Sequence, residues 1–282
     1  MTRAGAAAAA AVLLVAGAVP ASPASAWGLK AHRWVAVNAA RLVAARCPAL
    51  GRGPVGDLAA AAVEPDTVLK DRDGPREAEH HYLDLDHYGP PPFRALPRDW
   101  PTAVARFGRA ALERQGTLPW NGADVAHQLR DEIRRGDVRA ARRLAGHLAH
   151  YAADATMPLH TTENHDGQRT GQRGIHRRVE MHLVDDDLAD FTRGASVASG
   201  PPIVPADTAA ALFTALEHAY TRVAPLLDAD RNARRGTRVG SPLYYRRLHV
   251  ALRTMVGEQL GEAVSLTAAL WQGACDDARA RR

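Results

Sequence analysis

The chain has 282 residues, which is long for one domain and short for two, and 46% of them are hydrophobic, so a substantial core can form. Aromatic residues make up only 5%, and alanine, leucine and valine supply most of the apolar side chains, which argues against a mainly β-sheet protein and favours close-packed helices. The formal net charge of +5 fits a modest attraction for an anionic substrate, or simply an arginine-rich solvated surface.

The first 26 residues are predicted to be a secretory signal peptide. Arg3 precedes an apolar run at 6–19, and Ala24-Ser25-Ala26 has the small-residue pattern of a cleavage site. The run is too short for a transmembrane helix, and the later sequence contains no stretch that would span a bilayer. Cleavage would leave an exported protein, periplasmic or extracellular, whose domain covers 27–282 and begins at Trp27.

Helical periodicity dominates the remaining sequence. Polar segments rich in glycine and proline are predicted as loops at 70–92, with a short ordered piece at 81–86, and at 161–174 and 194–205. Because no repeat or boundary divides the chain, we predict an all-α fold, with one compact multi-helix domain. The predicted helices cover 31–45, 58–63, 100–114, 123–135, 138–155, 176–190, 206–227 and 244–272.

The chain has two cysteines, Cys47 and Cys275. In an exported protein they can pair and tie the first helix to the last. Two free or buried thiols are the alternative, and the sequence leaves both open. The C-x-x-C pattern is absent, which argues against a cysteine-based metal site.

The segment from Gly146 to Asp166, GHLAHYAADATMPLHTTENHD, carries four histidines and two aspartates in 21 residues. His150 and Asp154 are four residues apart on a predicted helix, so they project from one face, as two ligands of one cation would. Pro158 ends that helix and allows the chain to direct His160 toward the same region. One such His-x-x-x-Asp pair alone is more typical of a surface ion pair.

A second pair with the same spacing follows downstream. His176 and Glu180 lie at the start of the next predicted helix, and a 15-residue loop separates this pair from His160. Two histidines and one carboxylate are a common ligand set for catalytic zinc, with a position left for water. These three residues are therefore predicted to form a zinc site.

The N-terminal half adds four candidates. Signal cleavage would give Trp27 a free α-amino group, which can chelate a metal together with its carbonyl oxygen, and His32 follows five residues later. Asp66 and His81 lie in the polar region. Other polar residues are assigned supporting roles: Asp84 and Asp86 as partners that orient imidazoles, Lys70 near a phosphate or in solvent, and His147 and His165 beside the site.

Together these residues resemble the S1/P1 nuclease and zinc-dependent phospholipase C superfamily, whose members are all-α, exported, and hold three zinc ions in a cleft. The superfamily pattern is Trp-x4-His, then Asp, His, His-x3-Asp-x5-His and His-x3-Asp/Glu, and all nine positions are filled between 27 and 180. The resemblance implies a trinuclear zinc cluster that binds a hydroxide nucleophile, with Asp66 and Asp154 as catalytic carboxylates. The implied ligands are Asp66, His81, His150 and Asp154 for the first zinc, His160, His176 and Glu180 for the second, and Trp27, His32 and Asp154 for the third.

The substrate implied by the resemblance is a phosphodiester, and the pattern mixes two branches. The spacing of the N-terminal ligands is nuclease-like, whereas Glu180 as final ligand and the 16-residue step from His160 to His176 are closer to phospholipase C. A Gly-Gly-Asn stretch typical of many such nucleases is absent. We therefore predict a monomeric, secreted, phospholipase C-like phosphodiester hydrolase. A nuclease for single-stranded DNA or RNA is the alternative, and a non-catalytic zinc-binding protein is the third possibility.

Overall fold

Helices account for every regular element in residues 27–280, the part of the chain that this computed structural model describes. The helices share one hydrophobic core, so the expected all-α class and the single compact domain are confirmed for these residues. The predicted signal peptide, 1–26, lies outside the described residues. Within 27–280, none of the helices combines the length and the apolar character that a membrane span requires.

The α-helices of the described region differ widely in length, from one turn to 39 residues. They are α1 (Leu29–Val43), α2 (Pro48–Gly51), α3 (Val55–Ala61), α4 (Lys70–Asp73), α5 (Pro75–Ala78), α6 (Trp100–Phe107), α7 (Arg109–Arg114), α8 (Leu118–Arg135), α9 (Val138–Asp154), α10 (Ile175–Val179), α11 (Leu188–Thr192), α12 (Thr208–Tyr220), α13 (Val223–Ala233) and α14 (Pro242–Ala280). The remaining helical turns are π-helical at Pro65–Leu69 and Glu180–Asp185, and 3-10 at Glu79–His81, Leu85–Tyr88, Pro158–His160 and Pro205–Asp207.

Helix α9 runs through the middle of the molecule, in contact with α1, α3, α8 and α14. Every residue from Ala145 to Asp154 is buried. The indole Nε1 of Trp271 in α14 donates a hydrogen bond of 3.0 Å to the carbonyl oxygen of Ala145. The C-terminal half of α9, which carries the histidine-rich motif, is therefore enclosed by other helices.

Three predicted helices are divided, and one of them is 176–190, in which the π-helical turn Glu180–Asp185 follows α10 and α11 begins only at Leu188. The segment 100–114 breaks at Gly108, whose φ of 79° lies outside the helical region. The segment 206–227 breaks before α13 because Pro225, its third residue, would clash with the carbonyl of residue 221 in a continuous helix.

Two further boundary predictions are wrong. Gly273 does not end the last helix, which continues to Ala280. A Cβ atom at Gly273 would lie 1.8 Å from the carbonyl oxygen of Ile203, so this glycine makes room for the loop at 194–205. The polar segment 70–92 is also not one long loop, because α4, α5 and two 3-10 turns form within it, with Gly74 (φ 56°) as the hinge between the two helices.

Cys47 and Cys275 form a disulfide, with their Cα atoms 5.8 Å apart. Of the two alternatives that the sequence left open, the paired one is present. The bond joins the residue before α2 to the last helix, and both cysteines are buried. It therefore closes a loop that contains nearly all of the described chain.

Candidate metal centre

Helix α9 provides the middle of the centre. The side chains of His150 and Asp154 are completely buried, and Nε2 of His150 lies 3.3 Å from Oδ2 of Asp154. A Cβ atom at Gly146 would lie 2.4 Å from the Cβ of Ala61, so this glycine allows α3 to approach closely. The Nδ1 atom of His150 is then 2.8 Å from the carbonyl oxygen of Ala62, to which it donates, and Nε2 points into the centre.

Four histidines converge on the carboxylate of Asp154. Its Oδ2 lies 3.0 Å from Nδ1 of His81, in addition to its contact with His150. Its Oδ1 lies 3.4 Å from Nε2 of His32 and 3.9 Å from Nδ1 of His160. Asp154 is therefore the junction between ligands from α1, α9 and two 3-10 turns.

Asp66 approaches the same junction from the π-helical turn Pro65–Leu69. Its carboxylate oxygens lie 3.7 Å from Nδ1 of His81 and 4.0 Å from Nε2 of His150. Lys70, one turn later, places its Nζ 2.5 Å from Oδ1 of Asp66. Asp66, His81 and His150 offer ligand atoms within 4.8 Å of one another, close enough to hold one ion.

A second group of ligands comprises His160, His176 and Glu180. The two Nε2 atoms of the histidines are 3.1 Å apart, and Oε1 of Glu180 lies 2.8 Å from Nε2 of His176 and 3.5 Å from Nε2 of His160. The Nδ1 atom of His160 donates to the carbonyl oxygen of His81 at 2.7 Å, which directs its Nε2 toward this group. The three ligand atoms again lie within 4.8 Å of one another.

The third group joins α1 to α9. The imidazole of His32 stacks on that of His150 with ring centroids 3.9 Å apart, and both lie with Asp154 in a group that could hold an ion. Trp27 is buried, and its indole Nε1 donates to the carbonyl oxygen of Ala153 at 2.9 Å. Trp27, the predicted N-terminal residue, is therefore bound to the residue next to Asp154, with which it is predicted to share a metal ion.

Several buried polar atoms of these groups make close contacts but no hydrogen bond, which suits residues that could hold a metal ion. Burying a polar atom without a hydrogen bond costs about 1–3 kcal/mol, and native structures rarely leave several together. The donor set is nitrogen and carboxylate oxygen without sulfur, which suits a hydrolytic metal site. Buried atoms without a hydrogen-bond partner include Nε2 of His32, Oδ1 of Asp154 and Oε1 of Glu180, one from each part of the centre.

The surroundings shift the pKa values of the candidate ligands in different directions. Burial lowers the pKa of His32 to about 3 and that of His176 to about 4, so both are neutral and offer a lone pair at pH 7. Burial disfavours the ionised forms of Asp66 and Asp154, but neighbouring histidines, His150 first, outweigh it and hold both pKa values below the usual range. Burial raises the pKa of Glu180 to about 8.

Sequence reasoning missed Glu77. Its Oε1 lies 3.3 Å from Nε2 of His81 and accepts a hydrogen bond of 2.6 Å from the hydroxyl of Tyr151. A carboxylate behind an imidazole fixes the tautomer and increases the basicity of the other ring nitrogen. The signal was the spacing Glu-x-x-x-His, which reads as a helical pair only once 70–92 is known to contain helices.

The supporting role predicted for Asp86 is wrong. Its carboxylate accepts hydrogen bonds from the hydroxyl of Thr162 at 2.6 Å and from the backbone N–H of Glu163 at 2.9 Å, so it anchors the 161–174 loop. His147 contacts Glu64 at 2.8 Å and stays outside the three ligand groups. His165 packs near His176 and lies beside the site, as predicted.

Replacing Glu77 by glutamine is expected to weaken zinc binding by about 10- to 100-fold, the usual cost of removing a carboxylate that orients a metal-bound histidine. Titration against a chromophoric chelator measures this. Glu79→Gln is the matched control, because Glu79 is two residues away on the same segment and is outside the three groups. Equal zinc affinity of the Glu77 variant and the wild type would contradict the role assigned to Glu77.

A pocket of about 290 Å³ opens beside the centre. It contains two cationic side chains, Lys70 and Arg114, and the ring of Tyr82. A larger cavity of about 610 Å³ is lined by none of the predicted ligands, so the smaller pocket is the candidate substrate site. The lining of the smaller pocket is Lys70, Ala78, His81, Tyr82, Asp84, Arg114, Leu159, His160, His165 and His176.

Asp84 makes the stability of the metal-free protein depend on pH. Burial, with the charges of Asp86 and Glu163, raises its pKa from 3.8 to about 8, so the folded state favours the neutral acid. The contribution of Asp84 to the free energy of unfolding is therefore fully present below pH 3.8, falls as the pH rises, and is lost above about pH 8. From about pH 5 to pH 9, the wild type is expected to lose about 2–4 kcal/mol relative to Asp84→Asn. Urea unfolding of both proteins in chelator at both pH values tests this, and parallel pH dependence would refute it.

The geometry places the eight side-chain candidates in three groups, two of which share His150, and Trp27 packs against α9 beside them. Helix spacing accounts for the local pairs, and tertiary packing brings the pairs together. Neither a protein-family model nor a curated protein matches this chain.

Proposed function

We propose that the protein is an exported, zinc-dependent phosphodiester hydrolase. The observation that carries the proposal is the clustering of three histidine–carboxylate groups, each with a histidine nitrogen within 4 Å of Asp154, next to a pocket that contains cationic side chains. Structural zinc sites tend to be closed and often use cysteine, whereas this set has nitrogen and oxygen donors alone. The arrangement therefore favours a catalytic centre over a purely structural one.

Each ligand group would hold one of three zinc ions, in the assignment that the superfamily resemblance implies, with Asp154 shared by the first and third. Bound zinc supplies Lewis-acid activation of water and stabilises charge on a phosphoryl group. The residues around it have separate tasks. Asp66 stays ionised and can accept a hydrogen bond from the attacking water, while Lys70 and Arg114 provide positive charge for the phosphate.

Phospholipase C-like activity is the first candidate. It rests on Glu180 as the final ligand and on the apolar part of the pocket wall, to which Ala78 and Leu159 contribute. Cleavage of single-stranded nucleic acid is the second candidate. Tyr82 favours it, because an aromatic ring beside basic side chains is how proteins stack a base while they bind its phosphate.

Export is part of the proposal and is supported by the disulfide, since such bonds persist mainly outside the cytosol. Signal cleavage after Ala26 would also expose the α-amino group of Trp27. An additional methionine before Trp27 would convert this α-amino group into a peptide bond, and the protein is then expected not to bind the third zinc ion. The monomeric state and the cleavage site stay predictions.

A side-by-side hydrolysis assay tests the function. Zinc-loaded protein beginning at Trp27 is incubated with phosphatidylcholine vesicles, single-stranded DNA, single-stranded RNA and a chromogenic phosphodiester, each with and without chelator. Chelator-sensitive hydrolysis of at least one substrate is expected, and the preferred one identifies the branch. Bound zinc without hydrolysis of any of them would favour the non-catalytic alternative, and fewer than three bound zinc ions would refute the trinuclear centre.

A further inference from the structure

The π-helical turn Glu180–Asp185 has a different partner at each end. Glu180 belongs to the second ligand group, whereas Asp185 lies outside all three groups. The carboxylate of Asp185 accepts hydrogen bonds from the backbone N–H groups of Lys30 and Ala31, at 3.1 Å each. The Nζ of Lys30 donates in return to the carbonyl oxygen of Asp185 at 3.1 Å. Asp185 thus holds the first turn of α1 from a helix more than 150 residues away.

Gly28 allows this contact. A Cβ atom at position 28 would lie 2.2 Å from Cγ of Asp185, which is impossible without moving one of the two segments. The Asp185 side chain is itself buried, with 7% of the residue exposed. The residue after Trp27 is therefore packed directly against the Asp185 carboxylate.

Trp27 is held from both sides. Its indole is fixed to α9 through the hydrogen bond to Ala153, and the backbone that follows it is fixed by Asp185. His32, one turn into α1, stacks on His150. A shift of α1 along its own axis would therefore change the distances of both Trp27 and His32 from Asp154.

We propose that Asp185 is a positioning residue for the third metal. By holding the start of α1, it places the backbone of Trp27 and the imidazole of His32 at the site shared with Asp154. Because Glu180 and Asp185 share one turn, the same segment positions ligands of the second and third groups. This inference rests on the proposed trinuclear centre.

The test is zinc titration of Asp185→Asn, an isosteric change, in protein that begins at Trp27. We expect the affinity for one of three zinc equivalents to fall by about 10- to 100-fold, as for other groups that orient metal ligands, with the other two unchanged. Asp186→Asn is the matched control, because Asp186 is the exposed neighbour on the same segment. Gly28→Ala should reproduce the selective loss from the opposite side of the contact.

Several results would overturn the inference. One is wild-type affinity for all three equivalents in both Asp185→Asn and Gly28→Ala. Another is an equal weakening of all three equivalents, which would indicate a general loss of stability. A wild-type protein that binds only two zinc ions would also overturn it, while the hydrolase proposal could still hold. Three bound zinc ions, of which one depends on Asp185, without hydrolysis of any substrate would leave the inference intact and refute the function.

Discussion

Asp154→Asn is expected to cause the largest loss of metal and activity of any single ligand change. The variant should retain about one of the three proposed zinc ions. Its turnover should fall by more than about 100-fold, which exceeds the usual effect of removing a group that only orients a metal ligand. The reason is that both carboxylate oxygens face the centre, with histidines from separate ligand groups within 4 Å of each. Elemental analysis and hydrolysis assays on the same sample measure both effects.

The control must separate loss of a metal ligand from loss of a buried charge. Asp230 is equally buried, and it binds the side chains of Tyr244 and Gln172 instead of the metal groups. Asp230→Asn should lower the unfolding midpoint while it preserves the zinc content of the folded protein. A full zinc content and normal turnover in Asp154→Asn would rule out its bridging role.

Removing the disulfide is expected to have the largest effect on stability. The bond between Cys47 and Cys275 closes a loop of 228 residues, and chain entropy predicts a loss of about 5 kcal/mol when it is absent. Guanidinium unfolding of the Cys47→Ser/Cys275→Ser variant against the oxidised wild type measures the difference. An unchanged midpoint would show that the packing of α14 holds the N-terminal helix without the bond.

The same variant separates stability from metal binding. Cys47 follows the C-terminal end of α1, whereas His32 lies in its first turn, about 15 Å or more away along the helix axis. Below its unfolding temperature, the variant should therefore bind zinc as the wild type does. A reduced zinc stoichiometry in the folded variant would contradict this separation.

The sequence alone was sufficient for the helical class and for the short-range ligand pairs. Helix periodicity places residues four apart on one face, so His150 with Asp154 and His176 with Glu180 could be paired without knowledge of the fold. A proline break after the first pair was also enough to predict that His160 turns back toward the site. These inferences are local, because they depend on backbone geometry over a few residues.

Tertiary structure decided which distant groups meet. That Glu77 supports His81, that Asp86 does not, and that Asp185 holds the start of α1 all depend on how helices pack. The end of the last helix also differs from its prediction. Local composition indicated a stop at Gly273, but α14 continues to Ala280, and Gly273 instead leaves room for the backbone of Ile203. Periodicity specifies which face of a helix is apolar, but contacts between residues far apart in the chain arise only when those faces are buried against one another.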